Sequence, residues 1–155
     1  MKKTVSPIPA GYHTATPYLV VKNAPAAIEF YKQAFGAQEL FRMPRPDGVI
    51  THAEIQIGDS RLMLGDEAAG ASRSPQSLNG TPVSIFLYVE DVDSAFQQAT
   101  AAGATPSMPV QDMFWGDRYG RLTDPFGHQW HVATHQEDVS PQEMGKRAAA
   151  AMTAA

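Results

Sequence analysis

The chain has 155 residues, of which 43% are hydrophobic, so it is long enough to bury a core of its own. A formal net charge of −4 without clustered lysine or arginine argues against a nucleic-acid partner, and the absence of cysteine excludes disulfides and thiolate metal sites. No apolar stretch has the length of a signal peptide or a membrane span, and we expect a cytoplasmic protein.

The first half of the chain predicts a strand, a helix and three further strands. Residues 1–12, with two prolines and a glycine, predict an extended arm. A strand begins near Thr16, and the helix after it has Asn23 as its N-cap and Gly36 just beyond its end. Turn residues then separate three strands, predicted at Gln38 to Met43, Ile50 to Ile57 and Arg61 to Gly65.

The second half repeats this β-α-β-β-β order. Its predicted elements are a strand at Val83 to Val89, a helix at Val92 to Ala102 capped by Asp91, and strands at Thr105 to Val110, Tyr119 to Thr123 and His128 to Thr134. The turn Asp124-Pro125-Phe126-Gly127 separates the last two strands. A shift of 68 positions superposes Tyr18 on Phe86 and Met63 on His131, which indicates an internal duplication.

We therefore predict one domain over residues 1–155, built from two modules. Module one covers residues 13–66, a linker or mobile loop covers 67–81, module two covers 82–135 and a C-terminal helix covers 140–152. The linker is rich in small and turn-forming residues and has no periodicity. The terminal helix begins with a capping box formed by Ser140, Pro141 and Glu143, and we interpret it as a solvated or interface helix.

Several motifs carry a resemblance to a known family. The two tandem units, the Asp-Pro-Phe-Gly hairpin and the helix Ala-Ala-Ile-Glu-Phe-Tyr-Lys-Gln-Ala-Phe-Gly ending at Gly36 resemble the vicinal oxygen chelate superfamily, which includes glyoxalase I, bleomycin-resistance proteins, fosfomycin-modifying enzymes and extradiol dioxygenases. The segments His52-Ala-Glu-Ile, Leu62-Met-Leu-Gly-Asp, Phe114-Trp-Gly-Asp-Arg-Tyr-Gly and Asp138-Val-Ser-Pro are similar to its PhnB-like branch.

The resemblance implies an α+β fold in which two βαβββ modules curl a mixed sheet around a cavity, often completed by a second subunit, so a homodimer is expected. It also implies a divalent metal such as zinc, nickel, manganese or iron, which acts as Lewis acid on vicinal oxygens of the substrate. The repeat register maps the four family ligand positions to Thr16, Met63, Ser84 and His131.

Only His131 among these four residues is a good ligand, since hydroxyls bind these metals weakly and methionine suits Cu(I). The pair His52 and Glu54 shares one face of a predicted strand. Together with His131 it offers a rebuilt metal set of three ligands, the number that catalytic sites typically need. Solvation of a polar strand face is the alternative interpretation of the His-x-Glu pair.

Strand alternation also predicts a substrate-binding lining on the concave side, made of Tyr18, Met63, Ser84, Phe86 and Tyr88. Core packing or a dimer interface would use the same aromatic residues. Trp115 and Arg118 lie in a predicted loop that either covers a ligand or forms a structural plug in which Asp117 pairs with Arg118.

Two functions remain open at this stage. The first is a metal-dependent lyase, transferase or dioxygenase acting on a small oxygenated metabolite, with His131 and Glu54 as catalytic residues. The second is a metal-free protein that sequesters a drug or metabolite in an aromatic groove, as bleomycin-resistance members do.

Overall fold

Each half of the chain folds into a β-α-β-β-β unit in a computed structural model that describes residues 5–155. The first four residues of the predicted arm lie outside the described range. The described residues divide into two compact units between Gly80 and Thr81. The first contains β1 (Tyr18–Val21), α1 (Ala24–Phe35), β2 (Gln38–Pro44), β3 (Ile50–Ile57), β4 (Ser60–Asp66) and α2 (Pro75–Leu78). The second contains β5 (Ser84–Tyr88), α3 (Val92–Ala102), β6 (Thr105–Asp112), β7 (Asp117–Thr123), β8 (Gln129–His135) and α4 (Pro141–Thr153).

The two sheets have the same topology. Their strand orders are β1-β4-β3-β2 and β5-β8-β7-β6, with the first pair parallel and the others antiparallel. Tyr18 lies opposite Met63 in the first sheet, and Phe86 lies opposite His131 in the second. These pairs differ by the shift of 68 found in the sequence, so the predicted α+β fold with two βαβββ modules is confirmed.

Local capping explains where the main helices begin and end. The Asn23 side chain accepts a hydrogen bond from the Ala26 amide, and Asp91 accepts one from the Ser94 amide. Helix α1 ends at Gly36, whose φ of 65° is a left-handed conformation that glycine adopts without strain. The apolar residues of α1 recur at helical spacing and are buried, including Ile28, Phe30 and Tyr31.

Alternation along the strands separates a core face from an open face. Residues of the core face are buried, among them Leu19, Val21, Ile55, Leu62, Leu64, Leu122, Trp130 and Val132. The predicted turn before β8 is held by Asp124, whose carboxylate accepts hydrogen bonds from the amides of Phe126 and His128 and from the indole of Trp130. This buried carboxylate therefore fixes the start of β8 and the direction in which its side chains alternate.

Two sequence expectations need correction. The predicted linker is partly ordered, because Ser74 caps the short helix α2 and donates its backbone amide to Glu67 at 2.6 Å. The predicted loop from Gln111 to Asp117 is shorter than expected, since β6 continues to Asp112 and β7 begins at Asp117. The second correction places Asp117 inside a strand, where it becomes part of the site described below.

The C-terminal helix begins as predicted, with the Ser140 hydroxyl accepting a hydrogen bond from the Glu143 amide. None of its described residues is buried, and Arg147 pairs with Glu137 and Glu143. No described helix has the length and apolar character needed to cross a membrane.

Candidate functional site

The open face of the second sheet carries an aromatic cluster around His131. Register pairing puts Phe86 of β5 and Arg121 of β7 on either side of His131 of β8. Tyr119 lies two residues before Arg121 and therefore on the same face. The ring centroids of Phe86, Tyr119 and His131 are 5.5 to 5.8 Å apart. We call these three residues the aromatic cluster.

The polar groups of the aromatic cluster are coupled. The Tyr119 hydroxyl and His131 Nδ1 are 2.7 Å apart. Burial lowers the pKa of His131, and the nearby Arg121 charge lowers it further. Burial also raises the pKa of Tyr119. At neutral pH the imidazole is therefore uncharged and the phenol protonated, so Tyr119 can donate to Nδ1 and leave the proton of the imidazole on Nε2.

Trp115 extends the aromatic cluster from the loop between β6 and β7. The centroid of its ring lies 5.6 Å from that of Tyr119, in an edge-to-face arrangement, and 5.1 Å from that of Phe114. The indole Nε1 donates to Asp117 Oδ2 at 3.2 Å, and the Tyr88 hydroxyl donates to the same oxygen at 3.0 Å. Trp115 is thus held by a buried carboxylate beside the aromatic cluster.

The second oxygen of Asp117 accepts from His135 Nδ1 at 2.7 Å, while His135 Nε2 donates to Asp138 at 2.8 Å. These two carboxylates, Asp117 first, raise the pKa of His135. The predicted pairing of Asp117 with Arg118 is wrong, because Asp117 is occupied by Tyr88, Trp115 and His135.

Arg118 lies on the other face of β7, towards helix α3. It forms two hydrogen bonds with Asp93, at 2.7 and 2.9 Å, and one with Asp112 at 3.1 Å. The side chains of Arg118 and Tyr119 leave the strand in opposite directions. The structure therefore does not bring Arg118 to the aromatic cluster, although the sequence had suggested it as a substrate-binding residue.

The first sheet has its own polar cluster at the equivalent positions. His52 Nδ1 lies 3.3 Å from the Tyr18 hydroxyl, and His52 Nε2 lies 3.3 Å from Glu54 Oε1. The nearby Tyr12 hydroxyl is the main cause of the lowered pKa of Glu54. Met63 lies opposite both Tyr18 and Glu54 in the sheet register.

The family's metal positions do not form a ligand set of suitable chemistry. Thr16, Met63 and Ser84 supply two hydroxyls and a thioether, which are poor ligands for zinc, nickel, manganese or iron. The Arg121 guanidinium beside His131 also disfavours a cation there. Within the described residues no group of three or more His, Asp or Glu side chains could hold a metal ion.

The rebuilt set of His52, Glu54 and His131 stays a prediction. His52 and Glu54 are adjacent in the first unit, whereas His131 belongs to the second. The remaining predicted lining residues occupy the expected faces: Tyr18 and Met63 in the first sheet, and Ser84, Phe86 and Tyr88 in the second.

The first unit also has two clefts at the ends of its strands. One has a volume of about 290 Å³ and is lined by Tyr18, Arg45, Val49, Thr51, Asp66, Glu67, Ala68, Ala69 and Ser72. The other has about 440 Å³ and shares Val49, Asp66 and Glu67 with it. Asp66 accepts hydrogen bonds from the amides of Ala24 and Ile50, so this carboxylate is used in holding the fold.

Sequence reasoning missed Tyr119, Arg121 and Asp117. Tyr119 and Arg121 were both within a predicted strand, and alternation alone would have placed them on one face. Pairing that strand with β8 would then have put them beside His131. Asp117 had no such signal, because the groups that it binds come from β5, the loop and the end of β8.

Comparison with known proteins agrees with this architecture. The uncharacterized protein Mb0911c of Mycobacterium bovis is 47% identical over 133 residues, which are 83% of this chain and 88% of the relative. The crystal structure of the Arabidopsis thaliana gene product AT5G48480 superposes with a TM-score of 0.65 and 27% identity, covering 79% of this chain and 98% of that one. The PhnB protein of Bacillus cereus superposes with a TM-score of 0.62 over 79% of this chain and 99% of its own, and at 18% identity this likeness concerns the fold alone.

A sequence profile gives the family directly. The profile of the Glyoxalase/Bleomycin resistance protein/Dioxygenase superfamily matches residues 12–132, which include both sheets apart from the last residues of β8. The resemblance inferred from the motifs is therefore confirmed, and the chain belongs to the Glyoxalase/Bleomycin resistance protein/Dioxygenase superfamily.

Proposed function

We propose that the protein binds a small organic molecule with an aromatic ring on the open face of its second sheet. The exposed rings of Phe86 and Tyr88 support this proposal most strongly. Phe86 and Tyr88 are 45% and 65% exposed, although burial of such rings stabilises a fold. A flat ligand stacked on Phe86 and Tyr88, whose ring centroids are 5.0 Å apart, would remove this apolar surface from water.

The polar groups of the site give the ligand an orientation. The uncharged His131 offers one ring nitrogen to the ligand while Tyr119 holds the other. Ser84 lies two residues before Phe86, and Gln129 two before His131, so both add polar groups to the same face. Aromatic walls with a few fixed polar groups are typical of sites for small organic molecules.

We propose binding without a metal, because the donor set at the family positions does not suit a divalent ion. Three of these four residues are weak ligands, and a cationic guanidinium lies beside the fourth. The chemistry assigned to this face is therefore stacking and hydrogen bonding by the chain's own residues.

Trp115 provides the assay. The chain has two tryptophans, and Trp130 is fully buried, so a ligand on the aromatic cluster should quench mainly the Trp115 emission. We would titrate a panel of small aromatic compounds in EDTA, with Trp115→Phe as the control for the signal. A compound that binds wild type should bind Phe86→Ala about tenfold more weakly.

The matched control is Leu78→Ala, which removes an exposed apolar side chain (56%) from the first unit. This variant should keep the wild-type affinity. Binding that requires a metal, or that survives Phe86→Ala, would contradict the proposal.

A metal-assisted enzyme is the second candidate, favoured by the adjacent His52 and Glu54. Elemental analysis of untagged protein incubated with zinc, nickel, manganese or iron tests it. Stoichiometric metal that is lost in both His52→Ala and His131→Ala would support the three-ligand set and catalysis by His131 and Glu54. Protein that takes up no metal would exclude this candidate.

We also propose a homodimer, as in other members of the family. The edge strand β2 exposes Leu40, Phe41 and Met43, which are 40 to 49% accessible. An exposed apolar edge strand is suited to cover by a second copy. Light scattering should give twice the chain mass of 16.8 kDa.

A further inference from the structure

We infer that the ligand of the second sheet carries an anionic group, and that Arg121 binds it. The inference rests on the proposed function, because it assigns the chemical class of the molecule bound there. Arg121 is exposed on β7, directly opposite His131 and two residues from Tyr119.

Arg121 has no ion-pair partner within the described part of the chain. By contrast, Arg118 on the same strand is paired with Asp93 and Asp112, and Arg147 is paired with Glu137 and Glu143. The sheet register puts Arg121 directly beside His131, and strand alternation puts it on the same face as Tyr119. The guanidinium is thus near the aromatic cluster and available to a ligand.

The charges on this face favour an anion. Asp117 is the acidic residue on the face of β7 that carries Tyr119 and Arg121, and its two oxygens are occupied by Tyr88, Trp115 and His135. Opposite Arg121 on β6 lies the neutral residue Met108, and opposite Tyr119 lies Gln111. Among the described residues of this face, Arg121 therefore presents a positive charge that no acidic side chain neutralises.

The spacing suits a ring with an acidic substituent. Phe86, His131 and Arg121 lie side by side on three adjacent strands, which are about 4.8 Å apart. A ring stacked on the exposed Phe86 can therefore carry a carboxylate or phosphate within reach of the guanidinium. A guanidinium can bind either group through two parallel hydrogen bonds.

The equivalent position in the first sheet carries the opposite charge. Glu54 lies opposite Met63 as Arg121 lies opposite His131, so the residues that pair with these two positions differ in the sign of their charge. The inference of an anionic ligand is therefore specific to the second unit.

The test compares three probes that share one ring system: 2-naphthoate, 2-naphthyl phosphate and the neutral 2-naphthamide. Calorimetric titrations would use wild type, Arg121→Gln, Arg121→Lys and, as the matched control, Arg118→Gln. Wild type should bind at least one anion about tenfold more tightly than the amide. Arg121→Gln should lose this preference, Arg121→Lys should keep part of it, and Arg118→Gln should keep all of it.

Each other outcome contradicts a different claim. Equal binding of all probes to wild type would overturn the anion assignment and leave the proposed function standing. A preference that persists in folded Arg121→Gln, or that is lost equally in Arg118→Gln, would overturn the role of Arg121. Failure of all three probes to bind would contradict the proposed function, and the inference with it.

Discussion

Replacing Asp117 with alanine should loosen the loop that holds Trp115. The carboxylate accepts hydrogen bonds from Trp115, Tyr88 and His135. Tyr88 and His135 are 65% and 51% exposed, so both can bond to water when the carboxylate is removed. The half-buried indole N–H has less access to water, and leaving it without an acceptor costs about 2 kcal/mol.

Thermal unfolding gives the first readout of this change. For a chain of 155 residues, about 2 kcal/mol corresponds to a fall in Tm of roughly 4–8 °C. The matched control is Asp93→Ala, which removes the exposed partner of Arg118 and should change the Tm much less. The Trp115 emission should also shift towards longer wavelengths, while Trp130 stays buried.

The pKa of His135 gives an independent readout. It is raised in the folded protein, mainly by Asp117, and should fall towards its ordinary value in Asp117→Ala. In wild type this contribution to stability is fully present below about pH 6.5 and is lost as the pH rises through the folded pKa. An unchanged Tm together with an unmoved His135 titration, followed by NMR, would refute the account of this network.

Three further predictions concern the packing and charge of the second unit. Gly120→Ala should lower the free energy of unfolding, measured in urea, by about 1–3 kcal/mol, because the new Cβ would lie 2.7 Å from a ring carbon of Phe96. The control Gly145→Ala, on the open surface of α4, should raise it by about 0.5–1 kcal/mol. Equal effects of the two substitutions would contradict the packing described. Asp124→Ala should cost about 3 kcal/mol because the buried indole of Trp130 loses its carboxylate acceptor, and a loss below about 1 kcal/mol in the same assay would refute that role. Because the pKa of His131 is lowered in the folded protein, stability should fall as the pH drops below about 6.5. His131→Gln should remove this part of the pH dependence of the Tm. A Tm that depends on pH equally in wild type and His131→Gln would contradict this assignment.

Local patterns in the sequence were sufficient to predict the main helices and strands. Strand β3 and helix α3 have the predicted bounds. The alternation of β3, and the helical spacing and Asp91 cap of α3, are local patterns that a few neighbouring residues determine. The duplication could also be predicted, since one shift fits both ends of the unit. The short helix α2 was missed because four residues are too few to show a period, and Glu67, which helps to hold it, lies seven residues before Ser74.

The candidate site could be predicted only in part. Alternation placed Phe86 and His131 on one face, and the structure shows them in contact. The orientation of Arg118 was misjudged because the start of β7 was placed too late, which left Asp117 and Arg118 in a loop. The hydrogen bonds of the site join residues that are far apart in sequence, such as Tyr88 and Asp117, which are separated by 29 positions. No local sequence pattern encodes such contacts.

The most direct test of the proposed function is an amide NMR titration of wild-type protein with 2-naphthoate. The account predicts that the largest shifts map to Phe86, Tyr119 and His131 and to the indole of Trp115. Shifts confined to the clefts of the first unit, at residues such as Val49 and Glu67, would contradict it and place the ligand elsewhere.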